Sequence, residues 1–425
     1  MQYHHPTPLH KKFFTFHIIP IAIILLSAFM ACGKHGTTNH FAIIPAPAEQ
    51  KIETTHFKLT TSTKFCFEGL GQNSNIAAYV TNKVRHLHVR PKIVGKPQKN
   101  CITLKINTDI PQPEEGYRIV VNDKGVTITA QTEQGLFYGF QTFMQMLPDD
   151  IFQTRYHSVS IPCCTIKDYP RYKWRAFRFD CKGKNLSSNE LKRLIDVMAT
   201  YKLNKLHLQV PALAEANNRL SLSELQLARD YAQERYINII FETDSMGADD
   251  YAELNSTRNI AAEQLITTTP TTLTQDYRFD PSVDENEGGG LFELDSVNGK
   301  WEHKLLPALC AFSECLWTPR EQRSWPDFRH RIEHHKIRLG GMGYSYSLGS
   351  FRPIVRWLRT ENGGWKALVD TEVYGVAIHY TTDGTTPTPQ SPILHGAVPV
   401  ANGCELKILS VYRGKVRDSV YVFKR

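Results

Sequence analysis

The 425-residue sequence lacks most of the features that assign a function at sight. It has no basic block interleaved with aromatics. Lys and Arg outnumber Asp and Glu by 50 to 42, but the excess is spread along the chain, so no nucleic-acid partner is expected. Beyond the N-terminus no apolar run approaches the roughly 20 residues of a membrane span. The nine cysteines form no CxxC pair and show no zinc-ligand spacing. His86 with His88, and His334 with His335, have no third ligand nearby, so neither a metal nor a cofactor is expected. Charged residues make up 22%, an ordinary share that argues against long disorder.

The N-terminus is richer in information. Lys11 and Lys12 precede the apolar stretch Ile18 to Leu26, and Ser27, Ala28, Phe29, Met30, Ala31 and Cys32 follow. Residues 1–31 therefore read as an export signal. The pattern resembles a bacterial lipoprotein signal, with Ala31 before Cys32 as the lipidated residue. Phe29 stands where Leu is usual, and a simple cleaved signal or an anchor helix is the alternative. The expectation is an exported protein of the periplasm or outer-membrane surface, touching the membrane only through a lipid on Cys32. Export permits disulfides, but a chain this long does not need them, and most of the cysteines read as small buried hydrophobes.

Three regions follow. Residues 41–165 read as an α+β domain. Tyr117 to Ala130 holds two alternating strands around Asn122, Asp123, Lys124 and Gly125, a hairpin pattern. Gly135 to Leu147 then carries Leu136, Phe140, Phe143, Met144 and Leu147 at helical spacing. Residues 166–345 alternate strand and helix. Lys173 to Asp180, Asn204 to Val210 and Ile237 to Phe241 are apolar strand runs. Between them, Ser187 with Glu190 and Ser221 with Glu224 form capping boxes. This order means a parallel sheet with right-handed crossovers, and chemistry at its C-terminal strand ends. Those ends carry Asp180, Gln209, Glu242 and Asp244. After Asp244 regularity is lost: Thr267 to Thr274 is Thr-rich, and Asp284 to Gly290 is a polar, Gly-rich loop. A helix is expected from Trp301 to Leu316. Residues 351–425 read as a small β-sandwich.

Several motifs together resemble glycoside hydrolase family 20, the β-N-acetylhexosaminidases. Ile43 to Pro47 (IIPAP), Glu115 to Arg118 (EGYR) and Ala130 to Gly139 (AQTEQGLFYG) resemble that family's N-terminal domain. Asp168 to Asp180 (DYPRYKWRAFRFD), Asn204 to Gln209 (NKLHLQ), Ile240 to Asp244 (IFETD) and Phe312 to Arg323 (FSECLWTPREQR) resemble segments of its (β/α)8 barrel. His379 to Thr388 (HYTTDGTTPT) resembles the sandwich that often follows. The resemblance implies removal of a terminal N-acetylglucosamine or N-acetylgalactosamine from a glycan. In that reaction the substrate's acetamido oxygen is the nucleophile, an Asp orients it, and the adjacent Glu is the general acid.

That Asp-Glu pair is absent from the stretch after Asp244 where the resemblance puts it. Asp168 to about Tyr344 is 177 residues, whereas a full barrel takes roughly 250. The expected fold is thus an N-terminal α+β domain, an incomplete TIM-type barrel short of strands four to seven, and a C-terminal sandwich. One adjacent pair exists, Asp284 with Glu285. It is either a relocated catalytic pair or a solvated loop, and Pro281, Asn286, Glu287 and the glycines at 288–290 favour the loop.

By resemblance, Arg175 matches an arginine that holds sugar hydroxyls, with a strand-end salt bridge as its structural alternative. Asp180 matches the acid ending strand one. Glu242 and Asp244 match the strand-three acids, or form a structural pair. Counting back from Leu306 and Pro307 places Glu293 near strand eight, or on a loop. The expected activity is that of a β-N-acetylhexosaminidase with little turnover. The alternatives are a non-catalytic sugar-binding relative and an internally deleted remnant.

Overall fold

The computed structural model describes residues 40–71, 74–86, 91–111, 113–181, 186–210, 220–242, 266–268, 289–294 and 301–424. The first part is built on a seven-stranded sheet. Its strands are β1 (Glu49–Thr60), β2 (Lys64–Glu68), β3 (Lys92–Val94), β4 (Cys101–Ile106), β5 (Tyr117–Asn122), β6 (Gly125–Ala130) and β7 (Ser158–Asp168), in the order β1-β7-β5-β6-β4-β2-β3. The expected hairpin is β5 with β6, Asn122 facing Gly125 across the turn.

Helices α1 (Asn75–His86) and α2 (Glu133–Gln145) pack on this sheet. Thr132 caps α2 by accepting from the Gly135 N–H at 3.1 Å. Every residue from Gly135 to Gln145 is buried, which marks a helix enclosed on all sides rather than one with a solvated face. Its glycines set the spacing. A Cβ at Gly139 would meet Ile128 Cγ2 at 2.6 Å, so only glycine lets the helix lie this close to the sheet.

The second part is a five-stranded sheet. It contains β8 (Trp174–Asp180), β9 (Lys205–Gln209), β10 (Asn238–Glu242), β11 (Ile266–Thr268) and β12 (Gly289–Leu294). The order is β10-β9-β8-β12-β11 and every pair is parallel. Helices α3 (Ser188–Thr200) and α4 (Leu222–Gln233) make the crossovers, and both capping boxes form. The sheet therefore grows on both sides of β8. Residues 289–294 pair directly with it, beyond the three strands legible in sequence. β11 lies in a stretch that reads as irregular, because three residues are too few to show alternation. Among the described residues β10 and β11 each have one neighbour.

After the sheet come α5 (Trp301–Leu305), α6 (Ala308–Trp317) and α7 (Trp325–Gly341). The single helix expected from Trp301 to Leu316 is split before Pro307, which cannot donate a backbone hydrogen bond to a helical turn. α6 is fully buried, with Phe312 against Phe292 of β12 at 4.8 Å between ring centroids.

The C-terminal part holds two small sheets. One joins β13 (Ile354–Arg359), β14 (Trp365–Asp370) and β16 (Ala397–Val400). The other joins β15 (Ala377–Thr381), β17 (Leu406–Tyr412), β18 (Lys415–Val416) and β19 (Tyr421–Phe423). Ala367, Val369, Ile378, Val398, Leu406 and Ile408 fill the space they share, the arrangement of a sandwich.

Candidate functional site

Side chains of a strand alternate between the two faces of its sheet, and residues in register on parallel neighbours share a face. On one face Trp174, Ala176, Ile240 and Leu291 form a small buried cluster. On the other, Phe177, Phe179, Leu206, Leu208, Ile239, Phe241 and Phe292 join the main core with the helices. Asp180, Gln209 and Glu242 are in register across β8, β9 and β10. Arg178, His207 and Ile240 lie in the row beneath, and the backbone of Glu293 pairs with that of Arg178. The C-terminal strand ends thus bring together an acid row and a mixed Arg–His row.

Three of these side chains touch. His207 Nδ1 is 2.5 Å from Glu242 Oε1. Arg178 Nη2 is 2.8 Å from Glu242 Oε2. The His207 ring is buried and stands 6.0 Å, centroid to centroid, from Trp174. Burial pushes the Glu242 carboxyl up, but the hydrogen bond and charge of His207 and the Arg178 guanidinium outweigh it, and the net shift is downward. Glu242 is therefore an anion at neutral pH. It can accept hydrogen bonds from sugar hydroxyls and cannot lend a proton to a leaving group. Asp180 is half-buried at the same level. The Cys181 N–H donates to the Gln209 carbonyl and the Val210 N–H to the Glu242 carbonyl, each at 2.8 Å, which extends the ladder past the strand ends.

Arg175 is elsewhere, and it forms the salt bridge that stands as the alternative to its expected sugar contact. It sits near the N-terminal start of β8, five residues before Asp180, so it faces the opposite side of the sheet. Its side chain is wholly buried. Nη1 donates to Glu115 Oε2 and to the Tyr172 carbonyl, both at 2.7 Å. Nε donates to the Lys202 carbonyl at 2.9 Å, and Nη2 to Tyr138 Oη at 3.2 Å. The guanidinium also lies over the Trp317 ring, 5.0 Å from its centroid. Arg175 thus ties the first sheet's β5 approach and α2 to the second sheet.

A second tie lies beside it. Lys202 Nζ donates to Asp168 Oδ2 at 2.8 Å and to Tyr117 Oη at 2.7 Å. Trp317 Nε1 donates to Asp168 Oδ1 at 2.9 Å, and the Tyr117 hydroxyl donates to Oδ2. Lys202 and Asp168 are both fully buried. Burial holds the Lys202 ammonium below its ordinary pKa despite the attraction of Asp168.

Sequence reasoning did not single out Glu115, Arg178, Lys202 or His207 for any role. Glu115 and Arg175 are 60 residues apart and His207 and Glu242 35 apart. Counting parity along the strand would have separated Arg175 from Asp180. Asp244, Asp284, Glu285 and Cys32 lie outside the described residues. No group of three or more His, Cys, Asp or Glu able to hold a metal occurs among the described residues.

Residues 40–169 match the family model for domain 2 of glycosyl hydrolase family 20, and residues 172–212 match the model of that family's catalytic domain. Residues 368–424 match the Fn3-associated model. A beta-hexosaminidase of Porphyromonas gingivalis is 31% identical over 197 residues, covering 44% of this chain and 25% of its own length. A beta-N-acetylhexosaminidase of Cellulomonas fimi is 29% identical over 177 residues, covering 40% and 34%. The chain thus spans a quarter to a third of the length of these curated relatives. Among solved structures, the N-acetyl-beta-hexosaminidase of Streptomyces plicatus superposes with a TM-score of 0.62 at 17% identity, covering 72% of this chain and 96% of the other. The beta-N-acetylhexosaminidase of Bacteroides fragilis gives 0.60 at 14% identity, covering 72% and 97%. At such identities the likeness establishes the fold.

Proposed function

We propose, for a chain that belongs to glycoside hydrolase family 20, that it recognises the terminal N-acetylglucosamine or N-acetylgalactosamine of glycans at the C-terminal ends of β8, β9 and β10, with turnover far below that of an enzyme holding the Asp-Glu pair. The observation that carries this reading is the state of Glu242. It is ion-paired to Arg178, hydrogen-bonded to His207 and held ionised. The group suits hydroxyl recognition, and the proton transfer needs an acid it does not supply. A missing general acid lowers the rate by about 10²- to 10⁴-fold. Loss of the acetamido-orienting Asp removes positioning as well.

A second reading is full hexosaminidase activity, favoured by the presence of one adjacent Asp-Glu pair in the sequence, Asp284 and Glu285. Both readings are separated by assaying the mature protein on a chromogenic N-acetylglucosaminide and titrating it with N-acetylglucosamine. The proposal expects little product and saturable binding that Glu242→Gln abolishes. Family-level turnover that Glu285→Gln removes would establish the second reading. Absence of both binding and turnover would overturn the two together. Export with a lipid on Cys32 is part of the same proposal, and mass spectrometry of the mature N-terminus tests it.

A further inference from the structure

Outside the strand ends the fold encloses a cleft of about 440 Å³. It lies between α1 of the first sheet's domain, the outer faces of α3 and α4, and the turn that follows α7. None of its lining residues belongs to the Arg178–His207–Glu242 group. The volume falls within the ordinary range of small-molecule sites.

Three cations of its walls lie over aromatic rings, Arg235 over Tyr79 as well as Tyr231. The Arg235 guanidinium lies 3.3 Å from the Tyr231 ring centroid, and Arg193 lies 4.3 Å from that of Tyr344. Lys83 Nζ lies 5.6 Å from that of Phe152. Two of these cations are already neutralised. Arg235 Nε is 2.7 Å from Asp196 Oδ1, and Arg193 Nη2 is 2.6 Å from Glu302 Oε1. Lys83 has no acid within ion-pair distance among the described residues. The α1 amides of Asn75 and Asn82 line the same wall as Lys83.

We propose that this cleft is an accessory site for an anionic saccharide. A pyranose ring has an apolar C–H face that suits aromatic walls, and a rim of hydroxyls that suits amides. A carboxylate or sulfate on it supplies the negative charge that Lys83 lacks. The neutral N-acetylhexosamine of the strand ends carries no such charge, so the two sites select different sugars. The saccharide character of the ligand rests on the reading above that glycans are the chain's partners; the anion preference rests on Lys83 alone.

Calorimetric titration of the full chain with a disaccharide of glucuronic acid and glucose, which carries no N-acetylhexosamine for the strand ends, tests it. The matching neutral disaccharide and inorganic sulfate are the controls. Saturable binding of the acidic sugar is expected, roughly tenfold weaker in Lys83→Met and restored in Lys83→Arg. Phe152→Ala should weaken it by a similar factor. Glu242→Gln should leave it unchanged, which separates this site from the strand ends. Equal binding of the neutral disaccharide, or binding indifferent to Lys83→Met, would overturn the proposal, as would no saturation. Binding of sulfate as strong as that of the acidic sugar would show an anion site and sink the saccharide assignment, whatever becomes of the strand-end reading.

Discussion

The two ends of the same parallel strands treat charge in opposite ways. Near the N-terminal ends, Arg175, Lys202, Asp168 and Glu115 are buried or nearly so, and each meets several partners at hydrogen-bond distance. At the C-terminal ends, Arg178, His207 and Glu242 form a sparser group, with Arg178 and Glu242 part-exposed. His207 Nε2 is buried there without a hydrogen-bond partner among the described residues, as is Trp174 Nε1 on the same face at the start of β8. A buried polar atom costs free energy unless a partner or water satisfies it. The contrast separates charges that hold the domains together from a part-exposed charged group at the strand ends.

The largest expected effect is at the structural end. Lys202→Met leaves Asp168 as a buried carboxylate without its cation, and losing one partner of such a pair costs about 3–5 kcal/mol. Chemical denaturation should show a loss of this size. A loss under about 1 kcal/mol, the worth of an exposed pair, would erase the contrast between the two ends.

Arg175→Met should cost about 3 kcal/mol for the same reason, since Glu115 is left facing the sheet without its guanidinium. The sharper measurement is sugar affinity per folded molecule. It should be unchanged, because Arg175 faces away from the row that holds Asp180. A matched loss of affinity in a variant that stays folded would return Arg175 to the site.

Much of this fold is legible in sequence. Short apolar runs mark β8, β9 and β10, the Asn122–Gly125 turn marks the hairpin, and Ser187 and Ser221 mark the helix starts. The site is legible only in part. Glu242 can be read as a strand-end acid, but its partners depend on register, which joins His207 to it across β9 and β10. The partners of Arg175 are not legible, because its neighbours in sequence are strand residues and its partners are not. Glu115, Tyr138 and the Lys202 carbonyl reach it only once two sheets have packed. The strand at 289–294 follows a Gly-rich polar run that masks it, and only its pairing with β8 defines it.

Acid should reach the structural side at a definable pH. Asp327 lies 2.6 Å from His40 Nε2 and 2.7 Å from Arg331 Nε. Burial pushes its carboxyl up, but the His40 hydrogen bond and Arg331 outweigh it and hold it at about 2. A carboxyl whose folded pKa is depressed contributes stability above its unfolded value of about 3.9, and loses it as pH falls through the folded value. About 2 kcal/mol should therefore vanish between roughly pH 4 and pH 2. Asp327→Asn should flatten that slope while lowering stability at neutral pH. Glu242 is shifted in the same direction, so sugar binding should also fade on acidification. An unaltered slope in Asp327→Asn would assign the acid sensitivity to other carboxyls.

The smallest effect concerns how the strand ends are held from behind. α3 and α4 begin where the chain has left the C-terminal ends of β8 and β9. Ser221 Oγ accepts from the Glu224 N–H at 3.3 Å, and the Ser221 N–H donates to Glu224 Oε2 at 2.8 Å. The other oxygen of Glu224 accepts from Ser188 Oγ at 2.7 Å, so one carboxylate caps α4 and ties it to the first turn of α3. Ser221→Ala removes the hydroxyl of the box and should cost about 1 kcal/mol. Glu224→Gln keeps a neutral cap and should cost less. Because these starts lie behind the strand ends, hydrogen exchange at the α4 N-terminus should quicken in Ser221→Ala, while amides around Lys202 and Arg175 keep their protection. Equal quickening at both would mean that the two ends of the sheet open as one unit, and the division drawn between them would have no energetic content.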